Sequence, residues 1–132
     1  AAPPEAYARV GNKDAIAKML AADPRLIEND DIILAAVEFN HRELAQWLIE
    51  RGANPNARSR IGSEGTALHS AAFEGNLEMV KLLVAAGADL RALDREYQGT
   101  PENWARAAIE ITNNPQCAVV AEYLASCANG PR

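Results

Sequence analysis

Gly65-Thr66-Ala67-Leu68-His69-Ser70-Ala71-Ala72 opens a unit that runs through Gly75-Asn76 and Met79-Val80-Lys81-Leu82-Leu83-Val84 and closes at Gly87-Ala88-Asp89. Parts of this unit recur along the chain. A degraded copy upstream ends at Gly52-Ala53-Asn54, and another begins downstream at Gly99-Thr100-Pro101. Gly52 to Gly87 spans 35 residues and Thr66 to Thr100 spans 34. A shorter ruler of 12 residues separates Asn40 from Gly52, Gly75 from Gly87 and Gly11 from Asp23. A repeat of this period implies stacked supersecondary units rather than one globular core, and it moves the functional expectation from catalysis toward recognition.

Each unit carries an apolar stripe at helical spacing: Ala15, Ile16, Met19 and Leu20; then Leu44, Trp47, Leu48 and Ile49; then Met79, Val80, Leu82, Leu83 and Val84; then Val119, Val120, Tyr123 and Leu124. Residues at i, i+3 and i+4 share one buried helix face. Thr66 and Thr100 are positioned as N-caps, with Pro101 at the first helical position, where its missing N–H costs nothing. Asp31 is expected to cap the second unit. Gly52 and Gly87 stand just past helices, where a left-handed residue is wanted. Ala35-Ala36 and Ala71-Ala72 keep the first helices thin. Thr66 to Gly87 is 21 residues, but Thr100 to Cys127 is 27. The six extra residues are placed around Glu110 to Pro115, as a longer first helix, a lengthened turn at Asn113-Asn114-Pro115, and a second helix from near Gln116.

These residues resemble the ankyrin repeat, whose pattern has a Gly-x-Thr-Pro-Leu-His-x-Ala-Ala opening, a Val-x-x-Leu-Leu helix and a Gly-Ala-Asp ending. The third unit, roughly Gly65 to Ala92, matches almost position by position. Unit two has Asp31-Ile32-Ile33-Leu34 where the opening should stand, unit four has lost the Leu-His pair, and unit one keeps only its second helix. The resemblance covers about four-fifths of the chain. It implies an all-α solenoid of stacked helix-turn-helix units with hairpin tips, in one domain over 1–132, with units near 5–28, 30–61, 65–97 and 99–130. It also implies that His69 is a structural, hydrogen-bonding histidine of the repeat opening.

Composition narrows the chemistry. Of 132 residues, 48% are hydrophobic but only 5% aromatic, so alanine, leucine and valine fill the stack. No run approaches the ~18 apolar residues of a membrane span. A net charge of −5 argues against duplex nucleic acid as a partner. Cys117 and Cys127 fall on one expected helix about 15 Å apart, too far for a bridge. Two buried thiols fit a reducing, intracellular compartment. The start at Ala1-Ala2-Pro3-Pro4 fits a cloning boundary, a piece of a longer protein, or a mature start after signal removal, so export stays open.

His41 and His69 lie 28 residues apart in different units, no Cys-x-x-Cys occurs, and Gly62-Ser63-Glu64-Gly65 lacks the lysine of a phosphate loop. Asp30-Asp31 sits at a helix start, where acids favour the dipole. No nucleophile–base pair is legible, so no catalysis, cofactor or metal is expected. The insertion near Ile109 to Pro115 is the one candidate wall for an enzymatic pocket.

The resemblance places partner binding on the concave face and the turn tips. At the tips these are Arg58 and Arg60 in Arg58–Glu64, and Arg95, Glu96 and Tyr97 in Leu93–Gln98. On the face they are Glu38-Phe39, Phe73-Glu74 and, in unit four, Ala107-Ala108. Phe39 and Phe73 either anchor a partner or fold down onto their own repeats. Tyr97 lies in a turn where nothing local demands an aromatic, and the three arginines make the tips locally basic. Trp104 is expected to pack against the last helix. The expected function is that of a monomeric protein-binding module whose partner is another protein, with no nucleic acid and no membrane. A dedicated enzyme inhibitor and a fragment of a larger scaffold are the alternatives.

Overall fold

The computed structural model describes residues 2–129. Ala1, and the expected end of the last unit at position 130 with the residues after it, lie outside them. Among the described residues the chain is helical, and its only strand-like pairing is an isolated antiparallel bridge between Arg58 and Thr66. The helices are α1 (Pro4–Arg9), α2 (Lys13–Ala22), α3 (Asp30–Glu38), α4 (Arg42–Glu50), α5 (Ala67–Phe73), α6 (Leu77–Ala85), α7 (Pro101–Thr112) and α8 (Gln116–Asn129), with a 3-10 turn at Pro24–Glu28. They pack as consecutive pairs. The odd-numbered helices also pack side by side, α1 on α3, α3 on α5 and α5 on α7, which makes an all-α solenoid.

Seven residues, the length of α5, are too few to hold a helix in water, where about 12–15 are marginal. Packing therefore holds these helices, and the sequence stripes supply it. Ile16, Ile33, Leu48, Leu68, Met79, Leu83 and Val120 are fully buried. Each such side chain contributes about 1.5–3 kcal/mol relative to exposure. Alanines 36, 72, 105, 108 and 121 are buried between them and let helix backbones approach closely.

Caps fix the boundaries. Thr66 and Thr100 each accept from the backbone three residues on, and His69 and Asn103 reciprocate in capping boxes. Unit two is capped two positions earlier than expected. Asn29 is the N-cap, its Oδ1 accepting from the Asp31 N–H at 3.0 Å, while Asp31 sits inside α3. Asn wins because its side chain reaches an orphan N–H from outside the helix, leaving Asp30 and Asp31 in the first turn.

Unit one has its first helix after all. Pro4 starts α1, and fully buried Ala8 packs it into the core. Six residues were too few to show a periodic stripe. The insertion in unit four also resolves differently from expectation. Asn113-Asn114-Pro115 is no longer than Glu74-Gly75-Asn76 or Phe39-Asn40-His41, because α7 and α8 absorb the extra residues with 12 and 14 against 7 and 9 in α5 and α6. Asn40 and Asn113 take the left-handed conformation that Gly11 and Gly75 take in the other turns.

The turns are tied to one another. His41 Nε2 donates to the Arg9 carbonyl at 2.7 Å, Asn76 Nδ2 donates to Asn40 Oδ1, and Asn114 Nδ2 donates to the Glu74 carbonyl at 3.2 Å. Each unit thus hands one hydrogen bond back to its predecessor. Cys117 is buried and Cys127 is half-buried, both as free thiols on α8. The second thiol reaches the surface because it lies near the outer end of the stack.

Candidate functional site

The first helices end in register. Arg9, Glu38 and Phe73 are the last residues of α1, α3 and α5, and Val10, Phe39 and Glu74 are the C-caps that follow. They form two parallel rows on the face that the odd-numbered helices share. Opposite this face stand two fingers. The first, Arg58–Thr66, is closed by Ser59 N–H donating to the Gly65 carbonyl at 2.9 Å. The second, Leu93–Gly99, is closed by Asp94 N–H donating to the Gly99 carbonyl at 3.0 Å.

Between α5, α7 and the fingers lies an open groove of about 810 Å³, with Phe73, Tyr97, Trp104, Ala107 and Ile111 as its apolar lining. Tyr97 is 71% exposed and Ile111 69% exposed, so both apolar groups stand free. The polar lining is Ser63, Gln98, Gly99 and Asn103, with no carboxylate, imidazole, thiol or amine. The lengthened α7 does wall this groove through Ile111, which presents an apolar side chain to the trough.

Trp104 organises the groove, and it does so from a place the sequence did not indicate. It packs edge-on against His69 at 4.9 Å and Phe73 at 6.2 Å between ring centroids, so its aromatic neighbours are on α5 rather than on the last helix. Its Nε1 donates to Asp94 Oδ1 at 2.9 Å. The i, i+3, i+7 stripe of Trp104, Ala107 and Ile111 turns toward the preceding unit, away from α8.

Asp94 is the hidden fixture beneath. Fully buried, it accepts from Gly99 N–H at 2.7 Å, from Tyr97 N–H at 2.6 Å and from Trp104. Burial pushes its carboxyl up, but these three donors prevail and hold its pKa below the ordinary aspartate value. His69 anchors the same finger. Its Nε2 donates to the Gly99 carbonyl at 2.8 Å and its Nδ1 accepts from Thr66 N–H at 2.9 Å, which fixes the neutral tautomer. Burial lowers its pKa, and the role is structural. No buried side-chain nitrogen or oxygen among the described residues lacks a partner.

A second, polar groove of about 330 Å³ lies between α1, α3 and the first finger, lined among others by Glu5, Arg9, Asp31, Glu38 and Arg60. Burial raises the Glu38 pKa, with Arg9 opposing and Asp31 adding. Burial also raises that of Glu74, and the Glu38 charge adds to it.

The expected contact residues therefore divide. Phe73 and Tyr97 share the apolar groove, Glu38 and Arg60 share the polar one, and Phe39 stands 51% exposed on the C-cap row. Of Ala107 and Ala108, only Ala107 is exposed, because Ala108 points into the core. The tips are not basic. Arg60 pairs with Asp31 at 3.3 Å, Arg95 pairs with Glu64 at 2.9 Å, and Arg58 donates to the Glu64 and Leu93 carbonyls. Glu96 accepts from Ser63 Oγ at 2.7 Å. The bonds to Leu93, Arg95 and Glu96 lace finger to finger, and the Arg60–Asp31 pair ties the first finger to α3, so the arginines act first as ties. Ile111 was missed in the sequence because an apolar residue late on a helix reads as core.

The sequence matches the family model for ankyrin repeats (many copies) over residues 33–84. The chain belongs to the ankyrin-repeat family. Within it, the human (Homo sapiens) Notch-regulated ankyrin repeat-containing protein is 58% identical over 67 residues, covering 49% of this chain and 59% of that protein. The mouse (Mus musculus) inactive serine/threonine-protein kinase TEX14 is 33% identical over 106 residues, 77% of this chain. Alpha-latrotoxin-Lg1a from Latrodectus geometricus is 34% identical over 92 residues, 69% of this chain. The chain spans only 7% of that kinase relative and 6% of that toxin. Ankyrin repeats are protein-interaction modules as a class, and their solenoid explains why: stacking leaves one long face free.

Proposed function

We propose that this chain is a non-catalytic docking module that grips a partner protein on its concave face and finger tips. Glu38, Phe39, Phe73 and Glu74 are the contacts on the face, and Arg58, Arg60, Arg95, Glu96 and Tyr97 those on the tips. The four helix pairs act as one domain, with units near 5–28, 30–61, 65–97 and 99–130, and the free protein is a monomer. The observation that carries this reading is the apolar groove whose Tyr97 and Ile111 stand free beside a rigid Trp104–Asp94 support. Exposed aromatics on a preorganised surface are favoured anchors, since little ordering entropy is lost on docking.

The test is affinity capture with the wild type and a Phe39→Ser/Tyr97→Ser variant. Both side chains are more than half exposed, so the variant should melt within ~0.5 kcal/mol of the wild type, as surface changes do. Phe73 is left intact because its ring packs on Trp104. A protein retained by the wild type and lost by the variant supports the reading. A partner retained equally by both refutes the face.

A further inference from the structure

The charge around the groove indicates what kind of segment lies in it. This inference rests on the concave-face reading above. Five charged residues line the polar groove, and Glu74 stands outside that lining on the C-cap row, near enough for the Glu38 charge to act on it. Glu5, Asp31, Glu38 and Glu74 are set against Arg9 and Arg60, which leaves two negative charges in excess. Arg60 is already engaged with Asp31. Glu38 and Glu74 form no ion pair among the described residues, although Arg9 acts on Glu38 from a distance.

Both carboxyls are partly desolvated, and the charge of Glu38 disfavours ionisation of Glu74. A cation between them would relieve both effects at once. The apolar groove begins next to this pair. Phe73 occupies in α5 the place that Glu38 occupies in α3, and adjacent helices lie ~8–10 Å apart. An extended chain covers that distance in about three residues.

We propose that the occupant of this face is a partner segment carrying a large apolar side chain, seated against Phe73, Tyr97, Trp104 and Ile111, with a lysine or arginine about three residues away lying between Glu38 and Glu74. Hydrophobic burial supplies its affinity. The carboxylate pair sets its direction along the face and selects against acidic segments.

The experiment is selection of a random 12-residue peptide display library on the full chain, followed by titration of the enriched peptides as synthetic probes. Enriched sequences should pair a large apolar residue with a basic one three or so positions away. Tyr97→Ser/Ile111→Ser should abolish their binding while circular dichroism shows an unchanged fold, since both residues are mostly exposed. Glu38→Gln/Glu74→Gln should weaken binding about tenfold at low salt and flatten its salt dependence. Glu122→Gln, on the exposed surface of α8, should leave it unchanged.

Enriched peptides that are neutral or acidic, yet still lost with Tyr97→Ser/Ile111→Ser, overturn the charge rule and leave the concave-face reading standing. Peptides indifferent to Tyr97→Ser/Ile111→Ser, or no enrichment at all, overturn the segment proposal, and the capture experiment judges the face separately. A dimer in sedimentation that Tyr97→Ser dissolves makes a second copy the occupant and also overturns it.

Discussion

Replacing Asp94 with alanine removes one acceptor from three donors at once. The Gly99 N–H, bonded at 2.7 Å in a buried residue, loses its partner without access to water. An orphaned buried donor costs about 1–3 kcal/mol. Trp104 Nε1 is in a half-buried residue and recovers part of its bond from solvent, while the Tyr97 N–H belongs to an exposed residue and recovers most of it. The expected loss is therefore about 2–3 kcal/mol, dominated by Gly99. For a domain of this size that lowers Tm by roughly 8–12 °C. The assay is thermal unfolding followed by circular dichroism, with Trp104 fluorescence read in a Trp47→Phe background. The pH dependence carries a second signature. The folded pKa of Asp94 is depressed, so its stabilisation is present above the ordinary aspartate value and is lost as pH falls through the folded value. Acid should then narrow the gap between wild type and Asp94→Ala. A variant that melts within about 2 °C of the wild type at neutral pH refutes the argument that Asp94 holds the second finger.

The folded pKa of His69 is also depressed, but for a base the consequence runs the other way in charge: the unfolded chain takes up a proton that the native site refuses. Stability should be complete above the ordinary histidine value of 6.5 and decline as pH falls below it, and His69→Gln should flatten that decline in melting curves. Gly75→Ala and Gly52→Ala both put a side chain at positive φ, worth about 1–2 kcal/mol. A Cβ at Gly52 meets nothing within 4 Å, whereas one at Gly75 comes within 3.1 Å of the Cys117 backbone nitrogen, so urea unfolding should show the larger loss at Gly75. Glu74 has a raised folded pKa, so its charge disfavours the native state above that value and ceases to do so in acid. Glu74→Gln should accordingly raise Tm by about 1–2 °C at neutral pH and by nothing once pH falls below the ordinary carboxyl range.

The solenoid was legible because its signal is redundant: a helix face, a cap and a closing glycine repeat together, so a fault in one is covered by the others. The failures fall where redundancy ends. Asn29 and Asp31 both offer a capping oxygen, and only the backbone entry angle chooses between them. Asn113-Asn114-Pro115 looks like a long turn because Pro115 precedes α8, yet the chain spends its extra residues on helix. Trp104 was misplaced because its partners, His69 and Asp94, come from two other segments and meet only when α5, α7 and the second finger have docked. The arginines were read as free charge because the carboxylates that bind them, Asp31 and Glu64, lie 29 and 31 residues away along the chain.

The length of α7 has a further consequence. With 12 residues against 7 in α5, it runs more than one turn past its neighbour, an overhang of about 7 Å. Ile111 sits on that overhang. The face along the odd-numbered helices is therefore open where α1 begins it and dammed where α7 ends it. On the docking proposed above, a face without such a step would leave the end of a bound chain undefined. A dammed one sets a zero mark. On that reading a bound segment would be measured from Ile111, and one too long on that side would have to turn out of the trough.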